Sequence, residues 1–449
     1  MRKDDLVFRR KNNMKLYPIH KMLAADYLFF YAIKILFLTQ IKSISMSDIV
    51  ISTGLYGLFL ILVQIPSSMI VERYGDRKSL ILGDLALVIG IGFIMLCDNF
   101  LALILDNFIM AFGFGIKGIA EGTLLTKSIP PTSKKNEIFA KLDGKGLGNY
   151  YYVSAITSAV AGYLYSINGY IPIFLSLFAM LIALRLAFLF EDISDEEVEK
   201  KKDKKEANKK QETLSERYKE SIEDIRLALK FIFNSGRLKA LMIYAALTYG
   251  LVEVIANYQV GLMEEIGMSS TWIGIVYAIA MLLTGIASKK QNIFHEKFRN
   301  KSLGIIGMVA SGAIFIAGLT SLTIFPFVVI ATIVSICIIS RYISTGLYNV
   351  LIKKYLANFT NTKMLNRVYA TYGIVTGVGA IIMCFIAGII VKYVDLRYAM
   401  AIMGAIFVSS MLLTIWYMRK RVGLKPEEYA KKDIDFKAYL KDNNFSERV

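Results

Sequence analysis

Residues 72–80 read ERYGDRKSL, and residues 296–303 read EKFRNKSL. Each charged cluster is wedged between two long apolar runs, and the second follows the first by about 223 residues. Glu72-Arg73-Tyr74 matches Glu296-Lys297-Phe298, and Lys78-Ser79-Leu80 matches Lys301-Ser302-Leu303, with one residue deleted between. KSISMSD at 42–48 resembles EEIGMSS at 264–270, an offset of 222. Gly122 and Gly346 are 224 apart, and Gly162 and Gly388 are 226 apart. An offset so nearly constant marks a duplicated unit.

The unit is built for a bilayer. Of 449 residues 55% are hydrophobic, and mean hydropathy is +0.50. Apolar stretches of about 20 residues recur, roughly the length that crosses the hydrocarbon as helix. The runs predict spans at 22–41, 49–71, 79–97, 101–128, 146–167, 170–190, 239–262, 272–288, 302–320, 324–352, 368–391 and 396–418. Asp48 and Ser270 stand where helix caps should be, and Asn168-Gly169 suits a tight turn. The first 21 residues are basic and polar, with no small-residue cleavage site after the first apolar run. No removable signal peptide is expected.

A net charge of +17 could point to nucleic acid, but the placement of the charges points elsewhere. One set of short loops carries Arg73, Arg77, Lys78, Lys127, Lys134, Lys135, Lys141, Lys145, Lys289, Lys290, Lys297, Arg299, Lys301, Lys353, Lys354, Lys363 and Arg367. The other set carries Lys42, Lys392 and Arg397. That bias makes the first side cytoplasmic, both termini with it, and an even number of spans follows. The lipid bilayer is the expected partner, with no nucleic acid. Residues 191–238 form a charged linker whose first part, EEVEKKKDKKEANKKQE, should be solvated. In its second part Leu214, Tyr218, Ile222, Ile225, Leu229 and Ile232 recur at helical spacing, which predicts an amphipathic helix. The expected organisation is a bundle at 1–190, the linker at 191–238, a second bundle at 239–421 and a cytoplasmic tail at 422–449.

SSMIVERYGDRKSL resembles the signature between the second and third spans of the major facilitator superfamily: Gly, three residues, Asp, Arg, one residue, Gly, then basic residues. Ser68 stands at the first Gly, Glu72 at the Asp, Arg73 at the Arg and Gly75 at the second Gly, with Asp76, Arg77 and Lys78 completing it. Ser68 and Glu72 depart from the pattern. Twelve spans, a central linker and the repeat extend the resemblance over nearly the whole chain. The resemblance implies an all-α membrane protein, with twelve transmembrane helices in two pseudo-symmetric six-helix bundles. It also implies transport by alternating access, and a latch at Glu72, Arg73, Gly75, Arg77 and Lys78 that favours the outward-open state.

Ionisable residues inside a bilayer are expensive and usually functional. Asp26, Lys34, Lys117, Glu121, Glu253 and Arg341 fall in the first, fourth, seventh and tenth spans. The resemblance implies that those helices line the central cavity. Tyr27, Tyr31 and Lys34 would share one helical face, as would Glu253 and Asn257. Lys117 and Glu121 are four apart and can pair. Lys117 precedes Gly122 by five residues and Arg341 precedes Gly346 by five, so the repeat should set the two cations at similar depth. Tyr27, Tyr31, Lys34, Lys117, Asn257 and Arg341 are therefore candidates for binding substrate. Glu121, Glu253 and Asp26 are candidates for proton coupling, because a carboxylate shielded from water keeps its proton more readily. The plainer alternative is a network of ion pairs that only holds the bundle together.

No catalytic constellation emerges. Cys97, Cys337 and Cys384 lie in apolar runs and suit packing, while His20 and His295 lie far apart in basic segments. GFGIKG at 113–118 follows no strand, and DGKGLG at 143–148 lacks the spacing of a phosphate loop. No metal or cofactor is expected, and an ion gradient, of protons or another coupling ion, should drive transport. Ser154, Ser158 and Gly162, four apart in the fifth span, suit close helix packing; that span lacks the proline of the superfamily's drug antiporters. The expectation is a monomeric plasma-membrane transporter exporting drug-like molecules or metabolites. Uptake or exchange of an anionic or zwitterionic solute is the alternative that Lys117 and Arg341 motivate. A non-transporting sensor or partner-binding protein is a third, supported by the linker alone.

Overall fold

Helix starts in this chain are set by side chains that replace missing backbone partners. Ser45 accepts a hydrogen bond from the Asp48 N–H at 3.1 Å and donates to the Asp48 carboxylate at 2.7 Å, opening helix α2 (Met46–Tyr74). The cap is thus Ser45, and the expected cap Asp48 is its partner one turn on. Asn99 caps α4 (Phe100–Ser128) by accepting from Ala102 N–H at 2.9 Å. Ser235 caps α8 (Gly236–Glu265) at 3.2 Å from Leu238 N–H. The turn at Asn168-Gly169 is closed by the Asn168 side chain, which accepts from Tyr170 N–H at 2.9 Å.

The computed structural model describes residues 3–132, 135–193, 214–360 and 365–418. All regular structure among them is helical. The remaining helices are α1 (Lys3–Ala24), α3 (Asp76–Phe93), α5 (Lys135–Ile167), α6 (Ile171–Ala187), α7 (Leu214–Asn234), α9 (Ser270–Phe298), α10 (Ser302–Ser321), α11 (Phe327–Phe359), α12 (Leu365–Tyr393) and α13 (Leu396–Met418). Eight helical stretches among the described residues are long and apolar enough to cross a membrane; one of them, Ser270–Ser321, contains both α9 and α10. The first part of the linker and the tail at 422–449 lie outside the described residues. The chain divides into two compact units, Met1–Lys219 with Ser269–Met281, and Glu220–Met268 with Leu282–Val449, the division passing through α7 and α9.

In the first unit, Asn13, Tyr17, His20 and Ala24 form the buried face of α1 at spacings of four, three and four. Tyr17 packs with Val71, Leu80, Ile116, Leu124 and Phe190. The first apolar span departs from expectation. Helix stops at Ala24, turns occupy residues 25–33, and helical structure resumes as a three-residue turn at Lys34–Leu36 and a π segment at Phe37–Ile41. Buried backbone polar groups must be paired, and side chains of three other helices pair them here. Lys117 of α4 donates to Ala24 O. Thr157 of α5 donates to Leu28 O at 2.9 Å, and Ser176 of α6 accepts from Phe30 N–H at 2.9 Å.

Farther along the same unit, α5 crosses the start of α9 so closely that no side chain fits between them. A Cβ built on Gly162 would lie 2.3 Å from Ser270 O, and one on Gly274 would lie 2.5 Å from Ser158 O. The small residues read from the sequence as a packing stripe line this crossing, with Ser154 and Ser158 fully buried.

In the second unit, α8 packs against α12 and α13. Tyr258 of α8 donates to Ala387 O at 2.5 Å, and Tyr244 to Leu303 O at 2.7 Å. Helix α7 is the expected amphipathic element, but its buried side is Ala228, Phe231 and Ile232, whereas Ile222 is 58% exposed. Asp224 ties the helix to Arg367 of α12 at 3.1 Å.

Candidate coupling and substrate sites

Gly83 and Gly113 determine where the charges of the first unit meet. A Cβ on Gly83 would lie 3.0 Å from Lys117 Cβ and 3.1 Å from Gly113 O, so the backbones of α3 and α4 nearly touch. Asp84, beside Gly83, is thereby held level with Lys117 and Glu121. On α4 these two residues are one turn apart and pair at 3.5 Å. On α1 His20 and Ala24 are likewise one turn apart. The two faces meet: His20 Nδ1 lies 3.2 Å from Glu121 Oε1, and Lys117 donates to Ala24 O. His20 Nε2 lies 2.7 Å from Asp84 Oδ2. His20 and Asp84 are fully buried, and Lys117 and Glu121 are 4% and 7% exposed. A second cluster adjoins the first, in which Tyr17 donates to Asp143 at 2.8 Å and Lys21 pairs with the same carboxylate.

The sequence-derived set is only partly gathered here. Lys117 and Glu121 pair as their spacing predicts. Tyr27, Tyr31 and Lys34 share no helical face, because the backbone between Ala24 and Lys34 is not helix. Lys34 Nζ still lies 5.7 Å from the Tyr27 ring centroid, and Tyr31 stacks edge-on with Tyr277 at 5.8 Å. Asp26 accepts from Tyr27 N–H at 2.7 Å. With Tyr27, Met110, Phe114 and Ser176 it lines a cavity of about 10 Å³, room for a water but not for a solute.

His20 and Asp84 were not anticipated, nor was Asp106, which is 1% exposed with its Oδ1 unpaired among the described residues. Asp84 and Asp106 were detectable by the rule that flagged Glu121, since both interrupt apolar runs. The burial of His20 was detectable from the heptad-like spacing of Asn13, Tyr17, His20 and Ala24, but not the residues it meets.

In the second unit Arg341 is 2% exposed. Its Nη2 donates to Gln259 Oε1 at 2.9 Å, and its guanidinium carbon lies 3.9 Å from the Tyr342 ring centroid. Gln259 in turn donates to Tyr342 Oη at 3.2 Å. Among the described residues no carboxylate pairs with Arg341, and its Nε has no hydrogen-bond partner. Asn257 donates to the main-chain carbonyl of Glu253 at 2.9 Å, and the Glu253 side chain is half-buried.

The charged turn between α2 and α3 is made by Gly75, whose φ of +83° suits glycine. Glu72, Arg73 and Lys78 are exposed. Asp76 and Arg77 beside them tie this turn to the rest of the unit. Asp76 pairs with Lys127 at 2.5 Å and accepts from Thr123 at 2.8 Å. Arg77 donates to Phe188 O at 2.8 Å and approaches Asp192 at 3.8 Å.

The family model of the Major Facilitator Superfamily matches residues 22–342. Solved structures share the fold at low identity. The nucleoside transporter NupG is 10% identical, with a TM-score of 0.68 over 92% of this chain and 99% of its own. A D-xylose-proton symporter is 13% identical, with a TM-score of 0.66 over 93% and 97%. A POT family transporter in complex with 5-aminolevulinic acid is 13% identical, with a TM-score of 0.61 over 93% and 96%. No curated protein matches the chain. With the apolar helices and the buried charges, the family match identifies a multi-pass membrane transporter rather than an enzyme, and the chain belongs to the Major Facilitator Superfamily.

Proposed function

We propose that the chain is a proton-coupled secondary transporter of a small organic solute bearing an anionic group, working by alternating access. The observation that carries this reading is Arg341, a buried guanidinium paired with an amide and an aromatic ring but with no carboxylate among the described residues. A buried cation without a counter-charge is costly. A solute carboxylate or phosphate can supply that charge, and the planar fork binds either one bidentately. Lys117, by contrast, already has Glu121. The POT relative was solved with 5-aminolevulinic acid, a zwitterion whose carboxylate would suit such a site.

The twelve spans of this reading are the broken segment through residue 41, α2 to α6, and α8 to α13, grouped as bundles at 1–190 and 239–421. It includes a plasma-membrane location, cytoplasmic termini, a monomer, and export as the direction that the charged turn suggests. Export of drug-like molecules stays as the second reading, favoured by the aromatic side chains around the broken span, Tyr27, Phe30, Tyr31 and Phe114.

Thermal unfolding of purified protein with 5-aminolevulinic acid, a nucleoside, D-xylose and a hydrophobic organic cation tests the proposal. A ligand present at 100 times its Kd stabilises the native state by about 2.7 kcal/mol. The acid should raise the melting temperature of the wild type and not of Arg341→Gln. Stabilisation by the cation and not by the acid would replace this reading with the second.

A further inference from the structure

The buried cluster of the first unit does not balance its charge unless it binds a proton. Asp84 and Glu121 are two anions and Lys117 is one cation, all nine-tenths or more buried. Neither Lys nor Arg pairs with Asp84 among the described residues, and its Oδ1 has no hydrogen-bond partner. His20 stands between the carboxylates, with one ring nitrogen 2.7 Å from Asp84 and the other 3.2 Å from Glu121. Neutral imidazole carries a proton on one nitrogen and a lone pair on the other. Either tautomer would therefore press a lone pair against a carboxylate oxygen. The imidazolium hydrogen-bonds Asp84 through Nε2, holds its second N–H 3.2 Å from Glu121 as an ion pair rather than an aligned hydrogen bond, and brings the cluster to zero net charge.

We propose that His20 is a proton-binding site, occupied in this conformation as an imidazolium bridging Asp84 and Glu121. Naming its proton as the coupling proton rests on the transport function proposed above; the site itself does not. The groups facing His20 are Asp84 from α3, Lys117 and Glu121 from α4, and the Phe190 ring, which packs edge-on at 5.6 Å. Tyr17 and Lys21 on α1 itself turn to Asp143 of α5, a pair that is neutral on its own. Loss of the His20 proton leaves a net negative charge in a buried site. Asp84 lies eight residues past Asp76, about 12 Å along α3 from its start, so water must reach that depth before the proton leaves. Binding and release of the proton are thus tied to closing and opening of the contact between α1 and the α3–α4 pair. Glu121, one of the three expected proton carriers, here supplies a negative charge beside the proton that His20 holds.

The chain has two histidines, so ¹⁵N-histidine labelling of the His295→Gln protein leaves His20 as the single imidazole signal. Nuclear magnetic resonance in nanodiscs at pH 7 should show both ring nitrogens protonated. In Asp84→Asn, or in Glu121→Gln if the first variant does not fold, the ring should become neutral at the same pH. Stability gives a second readout. The folded protein holds a proton that the unfolded chain releases, so melting temperature should fall as pH rises through the midpoint seen in the spectra. Asp84→Asn should flatten that slope. A neutral imidazole at pH 7 in the otherwise wild-type protein, or an unchanged charge state in both carboxylate variants, would overturn the site and leave the transport reading intact. A chain stabilised by none of the solutes tested would sink the anionic-solute reading yet leave the imidazolium in place.

Discussion

The crossing of α5 and α9 offers a test whose size can be worked from the coordinates. In Gly162→Ala the new methyl carbon would lie 2.3 Å from Ser270 O, where ordinary contact begins at 3.4 Å. The two helices must therefore separate by about 1.1 Å, the difference between those distances, or α5 must rotate. Overpacking of this kind costs about 1–3 kcal/mol, offset by up to about 1 kcal/mol because alanine favours helix over glycine. Gly148→Ala in the same helix is the control, since nothing lies within 4 Å of its Cβ position. It should keep or raise stability. Gly274→Ala meets Ser158 O at 2.5 Å across the same gap. Once one substitution has parted the helices the second should add little, giving a coupling energy of about 0.5–3 kcal/mol. Unfolding can be followed with a thiol-reactive dye, because Cys97, Cys337 and Cys384 are buried and unbonded. If Gly162→Ala and Gly148→Ala melt together, the crossing is not as tight as described and the reasoning fails.

Breaking the Lys117–Glu121 pair with Lys117→Met should cost about 3–5 kcal/mol by thermal unfolding, with part recovered in the double variant with Glu121→Gln. Simple additivity would show that the two do not act together. Arg341→Lys should weaken binding of an anionic solute by about 1–3 kcal/mol through a lost charged hydrogen bond. An unchanged affinity in a direct binding assay would remove Arg341 from the substrate site. Asp76→Asn should destabilise by about 0.5–1 kcal/mol, since Lys127 is partly exposed and the pair is screened. That loss should shrink in high salt, and a salt-independent loss would point to the Thr123 hydrogen bond instead. For orientation, a cysteine at Asn292 should react with an impermeant reagent only from the cytoplasm, and one at Asn168 only from outside. The reverse pattern would invert the topology.

Much of the architecture was legible because hydrocarbon thickness imposes a length on every apolar run. Each expected segment from 49–71 to 396–418 coincides with a helix, with ends displaced by a few residues to several turns where side-chain caps or polar extensions intervene, and eight helical stretches among the described residues are long and apolar enough to cross a membrane. Residues 25–33 were not legible. LFFYAIK has the composition of a membrane helix, and what interrupts it is tertiary: hydroxyl and ammonium groups from α4, α5 and α6 replace the backbone's own partners. At the site, Lys117 and Glu121 could be paired from spacing alone. His20 could not be assigned a place from local sequence, because its neighbours are basic and its two partners lie 64 and 101 residues away. Asp84, one acid in an otherwise apolar span, was as open to detection as Glu121. Arg341 was recognised as buried, but its lack of a carboxylate partner is a fact of packing.

The broken first span has a consequence for how the protein breathes. A continuous helix holds its amides through bonds along one chain, and such bonds part cooperatively. Between Ala24 and Lys34 the backbone has a few turn bonds of its own and otherwise depends on individual side chains, each able to let go by a single rotamer change. Native-state hydrogen exchange should therefore find this stretch among the lowest opening free energies of the first unit. Phe30 N–H, held by Ser176, should exchange far sooner than the amides in the middle of α3 or α4. Ser176→Ala should speed exchange at Phe30 while leaving Tyr31, bonded to Tyr27 O, nearly unchanged. Because Lys117 holds the carbonyl at the head of this stretch, any event that draws Lys117 away from Ala24 would register first as faster exchange here.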